Sequence, residues 1–264
     1  MPDHDIEIID THVHAQPSLT DGDVEPDPKW FRDLFANCRH RTRLLVSCDA
    51  GADVLMKRGN VAMVRAVARL VRAFPDKLVG TMMLNPCDID DALEAMELGV
   101  KELGMRCVGE LCQYIHNYRT DGPEVVAVVQ KAIDLDVAVL FHSGADRHVE
   151  GVAHIAAKFP RARIMMAHCG GSRCWRRGIE TVRRLPNVSL EVMRGMTEQI
   201  GALMDTVGPR RITYGTDFFL HEAPELRYER GNWLLDCLKE LKLKDADIER
   251  ICSGNAKELL KLED

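Results

Sequence analysis

Eight short β-rich runs, each followed by a helical stretch, limit the fold of this 264-residue chain more than any other feature. The runs are 6–10, 43–49, 77–84, 106–111, 137–142, 162–168, 188–192 and 211–217. Helical periodicity fills 29–38, 60–74, 88–103, 123–135, 149–159, 173–184 and 196–206, and returns in the tail at 230–241 and 245–262. In the helix from Asp88 to Leu103, the residues Leu93, Met96, Val100 and Leu103 mark one apolar side, and Gly104 supplies a stop. Eight strand–helix units in about 250 residues predict an α/β fold, a (β/α)8 TIM-like barrel, as one domain over residues 1–264. An open doubly wound sheet is the runner-up. It loses ground because no GxGxxG follows the first strand and no GxxxxGK[ST] occurs.

Composition narrows the function classes. Hydrophobic residues make up 46%, enough for a large core and too many for disorder. A formal net charge of −6 gives no basis for a nucleic-acid or membrane-surface partner. No basic leader precedes an apolar segment, and no apolar run reaches the ~20 residues of a membrane span. The expected location is cytoplasmic. Nine cysteines without a CxxC pair, several of them in apolar runs (Cys48, Cys107, Cys252), are read as reduced thiols.

A barrel puts its chemistry at the C-terminal ends of its strands. Those positions hold His12 and His14 after strand one, Glu110 at strand four, His142 at strand five, His168 at strand six and Asp217 at strand eight. In an extended chain His12 and His14 point the same way, with Asp10 in phase. Taken singly, each has a bland alternative. His142 suits a hydrogen-bonded core histidine, His168 a strand end in a tight turn, Asp217 a helix N-cap, and Glu110 an ion pair with Arg106. None of these explains why all of them recur in one layer of one barrel. Together they are the donor types of a zinc or similar divalent-metal site. Asp217 would both bind the ion and take a proton from its water, while His168 or His142 would stabilise charge on a substrate oxygen. Thr11, Ser143 and Thr216 stand next to these groups in sequence and would orient them.

Substrate contacts are expected from the segment after strand four, where Tyr114, His116, Tyr118 and Arg119 cluster, and from Arg173 with Arg147 or Arg194. Their positive donors suit a small anionic molecule. His148 and His221 are further candidates. The acidic stretch 15–29, with Asp21, Asp23, Glu25 and Asp27, reads as a solvated loop.

The motifs DTHVH (10–14), FHSG (141–144), AHCGG (167–171), YGTDF (214–218) and SGNAKELL (253–260) resemble the amidohydrolase superfamily, in its amidohydrolase-2 branch of metal-dependent hydrolases and decarboxylases. The resemblance runs from residue 6 to 262. It implies a distorted (β/α)8 barrel in which His12, His14, His142 and Asp217 are metal ligands. His168 would be a ligand in a two-metal site or a substrate-polarising residue in a one-metal site. GNA (254–256) would be structural. Homo-oligomers are common among such barrels. Many two-metal members carry a carboxylated lysine at strand four, and this chain has none. Glu110 stands there instead and resembles the bridging glutamate of TatD-like deoxyribonucleases.

Three functions follow as expectations. The first is a metal-dependent hydrolase of an ester, lactone, amide or phosphoester, with one or two ions of zinc, manganese or another divalent metal. The second is a non-oxidative decarboxylase of a small unsaturated or aromatic acid. The third is a non-catalytic metal-binding barrel. Short loops favour hydrolysis, and Glu110 discriminates, because a metal-bridging Glu110 implies two ions.

Overall fold

The computed structural model describes residues 6–15, 33–36, 38, 40–48, 57–168, 173–193, 197–219 and 233–263. Runs that are apolar at nearly every position need cover on both faces, as a parallel sheet wrapped in helices provides. β1 (Glu7–Ala15), β2 (Arg41–Cys48), β3 (Leu78–Met82), β4 (Cys107–Leu111), β5 (Ala138–Phe141), β6 (Ile164–Met166), β7 (Val188–Val192) and β8 (Ile212–Tyr214) pair in sequence order. Every pairing is parallel.

Closure needs one more element. The predicted eighth strand, 211–217, divides into β8 and β9 (Phe218–Phe219). β8 pairs with β7, and β9 pairs with β1 through Val13↔Phe218 and His14↔Phe219. Side chains bridge the same seam: Thr11 Oγ1 donates to Tyr214 O (2.8 Å), and the Asp10 carboxylate accepts from Thr216 N (3.1 Å) and Oγ1 (2.5 Å). The result is an eight-unit (β/α)8 barrel, with the last strand shared between two short pieces.

The helices are α1 (Asn60–Ala73), α2 (Ile89–Lys101), α3 (Gln113–His116), α4 (Pro123–Asp134), α5 (Asp146–Lys158), α6 (Trp175–Arg184), α7 (Thr197–Val207), α8 (Trp233–Glu240), α9 (Asp245–Glu249) and α10 (Asn255–Leu260). Of the helix expected at 29–38, only 33–36 and Cys38 lie within the described residues. α2 buries Ala92, Ala95, Met96, Leu98 and Gly99, while Leu93, Val100 and Leu103 pack at the margin. Small residues let the helix approach the sheet, so the buried stripe is turned toward Ala92, Ala95 and Gly99 and is less apolar than the leucines alone predict. The continuous helix expected at 245–262 is interrupted by a π-helical turn, Arg250–Gly254. Beyond that turn, Asn255 Nδ2 donates to Pro209 O (2.6 Å) and Ile212 O (2.5 Å), tying the last helix to the start of β8. Among the described residues no helix is long and apolar enough to cross a membrane, and none of the eight described cysteines is in a disulfide.

Two buried layers result. The larger joins strands to helices. The smaller lies among Leu45, Val79, Cys107, Ala138, Leu140 and Met165, one or two from each of five neighbouring strands, and Leu260 of α10 packs into it. Gly109 shows how tightly β4 and β5 meet. Its φ is +126°, and a Cβ placed there would lie 2.2 Å from Leu140 O. Gly109→Ala is therefore expected to cost on the order of 3 kcal/mol or more in unfolding free energy. A denaturant titration within 1 kcal/mol of wild type would contradict this.

Candidate metal centre

His12 and His14 lie inside β1, both buried, with their Nε2 atoms 3.0 Å apart. A register shift between Asp10 and Val13 accompanies this geometry. The outer nitrogens are already committed. His12 Nδ1 donates to Glu191 Oε2 (3.0 Å), and His14 Nδ1 donates to Cys48 O (3.1 Å), with Ser47 Oγ 2.9 Å away. In the neutral tautomer that donates from Nδ1, such a ring turns its Nε2 lone pair inward. Two such lone pairs facing each other repel unless a cation stands between them.

Carboxylates close the remaining sides. Asp217 Oδ1 lies 3.5 Å from His12 Nε2 and 3.3 Å from His14 Nε2. Glu110 Oε2 lies 3.5 and 3.8 Å from the same two atoms. Glu110 Oε1 accepts from His142 Nδ1 (3.0 Å) and His168 Nε2 (2.7 Å), and Oε2 accepts the Cys112 thiol (2.9 Å). Burial alone would push the Glu110 carboxyl up, but the charge and hydrogen bonds of His12, His142 and His168 outweigh it and hold it well below the usual range. Burial likewise opposes a charge on His12, and Glu110 and Glu191 reverse that and raise it well above the ordinary histidine value. The cluster attracts positive charge strongly.

The donor set fits a divalent cation. His12, His14 and Glu110 offer one trio of ligand atoms, and Glu110, His142 and His168 offer another. The His12–His14–Asp217 edges of 3.0, 3.5 and 3.3 Å match the spacing of about 3.3 Å between ligands 2.0–2.1 Å from a tetrahedral ion. Histidines whose outer N–H is held by a carboxylate or carbonyl are the arrangement such sites use.

His168 and Asp217 both occupy the left-handed region, with φ of 65° and 53°. That is uncommon for residues other than glycine and concentrates at functional sites. His168 Nδ1 is 3.9 Å from Asp217 Oδ2. The Asp217 side chain is 20% exposed and that of Glu110 3%, so Asp217 is the more accessible of the two carboxylates.

All six residues expected at the centre therefore converge. Arg106 is exposed and does not pair with Glu110, whose partners are the histidines. The Tyr114 ring packs against His142 at 4.6 Å and is 54% exposed, at the rim. His116 is half-buried, with Nε2 unpartnered. Arg173 is exposed just before α6. Arg194, His221 and 16–29 lie outside the described residues. Thr11 and Thr216 serve the barrel seam, and Ser143 donates to Ala167 O.

Sequence reasoning passed over Glu191. It is fully buried, accepts from His12 Nδ1 and the His168 N–H (3.3 Å), and packs where a Cβ on Gly215 would come within 2.4 Å of its Oε1. The available signal was a charged residue inside the apolar run VSLEV. Cys112 was passed over as well.

A sequence profile of the Amidohydrolase family matches residues 9–262. The chain belongs to the amidohydrolase family. No curated protein matches this amidohydrolase in sequence. Solved structures do match its fold. The 5-carboxyvanillate decarboxylase of Sphingomonas paucimobilis superposes with a TM-score of 0.70 at 14% identity, over 98% of this chain and 100% of that one. A manganese-bound 5-carboxyvanillate decarboxylase of Novosphingobium aromaticivorans gives 0.71 at 14%, over 99% and 98%. The 2,6-dihydroxybenzoate decarboxylase of Rhizobium gives 0.67 at 18%, over 98% and 99%. At these identities the likeness shows the fold that the amidohydrolase shares with them.

Proposed function

We propose that this amidohydrolase-family protein is a metal-dependent decarboxylase of a small hydroxylated aromatic or unsaturated acid. The observation that carries the reading is the division of labour in the cluster. His12, His14 and Asp217 face one another with the outer histidine nitrogens occupied, while both Glu110 oxygens are taken up by His142, His168 and Cys112. That arrangement suits one ion on His12, His14 and Asp217. The decarboxylases that share the fold add support, and manganese in one of them widens the choice of ion beyond zinc.

A bound divalent ion would supply Lewis acidity that fixes the substrate's carboxylate and neighbouring hydroxyl. Asp217 takes the hydroxyl proton of the bound acid and delivers it to the carbon bearing the carboxylate. The bond to the carboxylate then breaks, its electron pair returns to the ring or double bond, and carbon dioxide leaves. His168, with Nδ1 3.9 Å from Asp217 Oδ2, borders the path of that transfer. Tyr114 at the rim and exposed Arg173 are the proposed substrate contacts, with His116 behind them.

A second reading, hydrolysis at a two-ion site, is favoured by one observation: Glu110 belongs to both ligand trios and is placed to bridge them. One experiment separates the two. Metal-loaded wild type and Glu110→Gln are analysed for ions per chain and assayed on hydroxybenzoates and on an ester, lactone, amide and phosphoester panel. The decarboxylase reading expects one ion in both proteins and carbon dioxide release from a hydroxybenzoate. Two ions falling to one, with turnover confined to the hydrolase panel, would replace it. Full metal occupancy without any turnover would point to the non-catalytic barrel.

A further inference from the structure

We propose that the cavity between α3 and the start of α5 is a second binding site, for a carboxylate flanked by a hydroxyl. The cavity holds about 550 Å³ and is lined by Gln113, Tyr114, Tyr118, Arg147, His148 and His154, among others. It begins one imidazole away from the metal cluster. The rings of Tyr114 and His148 both pack against His142, at 4.6 and 5.4 Å.

Three residues of its lining each carry a buried polar atom without a partner: Gln113 Oε1, Tyr118 Oη and His148 Nδ1. Gln113 and His148 are 4% and 6% exposed. A buried polar atom gains by finding a partner, and a polar guest in the one cavity that these three residues border would supply it. Their polarity is fixed by what they already touch. Gln113 Nε2 donates to His142 O (3.1 Å), so the free atom is an acceptor. Arg147 Nε donates to His148 Nε2 (3.2 Å), so the free Nδ1 carries the ring proton and is a donor. Tyr118 adds a hydroxyl donor.

Charge selects an acid. The neighbouring carboxylates are engaged, Asp121 with Arg119 (2.9 Å) and His154 (3.1 Å), and Glu150 with Arg177. Arg147 forms no ion pair with a described residue. A carboxylate would take the His148, Tyr118 and Arg147 donors. Alone it would leave Gln113 Oε1 facing an anion. A hydroxyl beside the carboxylate satisfies that acceptor, whereas an ammonium there would meet the Arg147 charge.

The test is calorimetric titration of the metal-loaded 264-residue protein with mandelate and with phenylacetate, which differ by that hydroxyl. Mandelate is expected to bind about fivefold tighter. Arg147→Met should weaken both acids about tenfold, and Tyr118→Phe severalfold. Arg147 is exposed and Tyr118→Phe removes one oxygen, so both variants should keep the fold. Mandelate affinity untouched by both variants would place its binding on the metal and overturn the proposal, as would no binding at all. Competition by salicylate would make the cavity the far end of the substrate site and overturn its standing as a second site. Simultaneous binding would make it the seat of a second molecule. Arg147-dependent mandelate binding in a protein that decarboxylates nothing would keep the cavity and remove the decarboxylase reading.

Discussion

Asp217→Asn is expected to lower turnover by about 10³-fold once an active substrate is in hand. The amide keeps the size of the carboxylate but cannot carry the transferred proton. It also removes a negative charge 3.3–3.5 Å from two imidazole lone pairs. Burial raises the Asp217 carboxyl and the histidines around it, His14, His12 and His168, lower it further, so the wild-type group is held ionised and ready to accept. Turnover and metal content must be measured on the same preparation. Loss of activity with the ion retained assigns proton transfer to Asp217, and joint loss of ion and activity assigns it chiefly to binding. Activity within tenfold of wild type would remove Asp217 from the chemistry.

Glu191→Gln should weaken metal affinity by about 10–100-fold, read by equilibrium dialysis against a chelator buffer. The carboxylate accepts the His12 Nδ1 proton and makes Nε2 the more basic ligand. Glutamine still accepts a hydrogen bond, but without the charge that polarises the ring. The same carboxylate holds the His168 backbone N–H, so the substitution loosens two strand ends together. An affinity within twofold of wild type would mean that Glu191 is a buried strand residue with no hold on the centre.

The barrel was legible because its signal is coarse. Eight apolar runs separated by amphipathic stretches survive errors of a few residues at each boundary, and 188–192 is both predicted and observed as β7. The histidines and Asp217 were legible for a related reason: strand ends in a barrel share one layer, so residues distant in sequence can be grouped without coordinates. Glu191 and Cys112 escaped because their importance lies in what they touch. A glutamate in VSLEV and a cysteine beside Glu110 acquire meaning only when β7 faces β1 and the chain after β4 folds back. Thr11 and Thr216 sat beside the right residues but point into the seam. Neighbours in sequence along a strand face opposite ways.

The seam sets an order of events. His12 and His14 belong to the first strand of the chain, and Asp217 sits between the two pieces of the last. The proposed trio of His12, His14 and Asp217 comes into existence only when the beginning of the barrel meets its end. A chain with β1 to β7 in place holds two histidines and no third donor from β8. An ion gripped by all three favours the joined ring over any opened one by mass action. Occupancy of the centre is then a molecular record that the circle has been completed, and chelation should loosen the first and last strands before it disturbs the middle of the barrel.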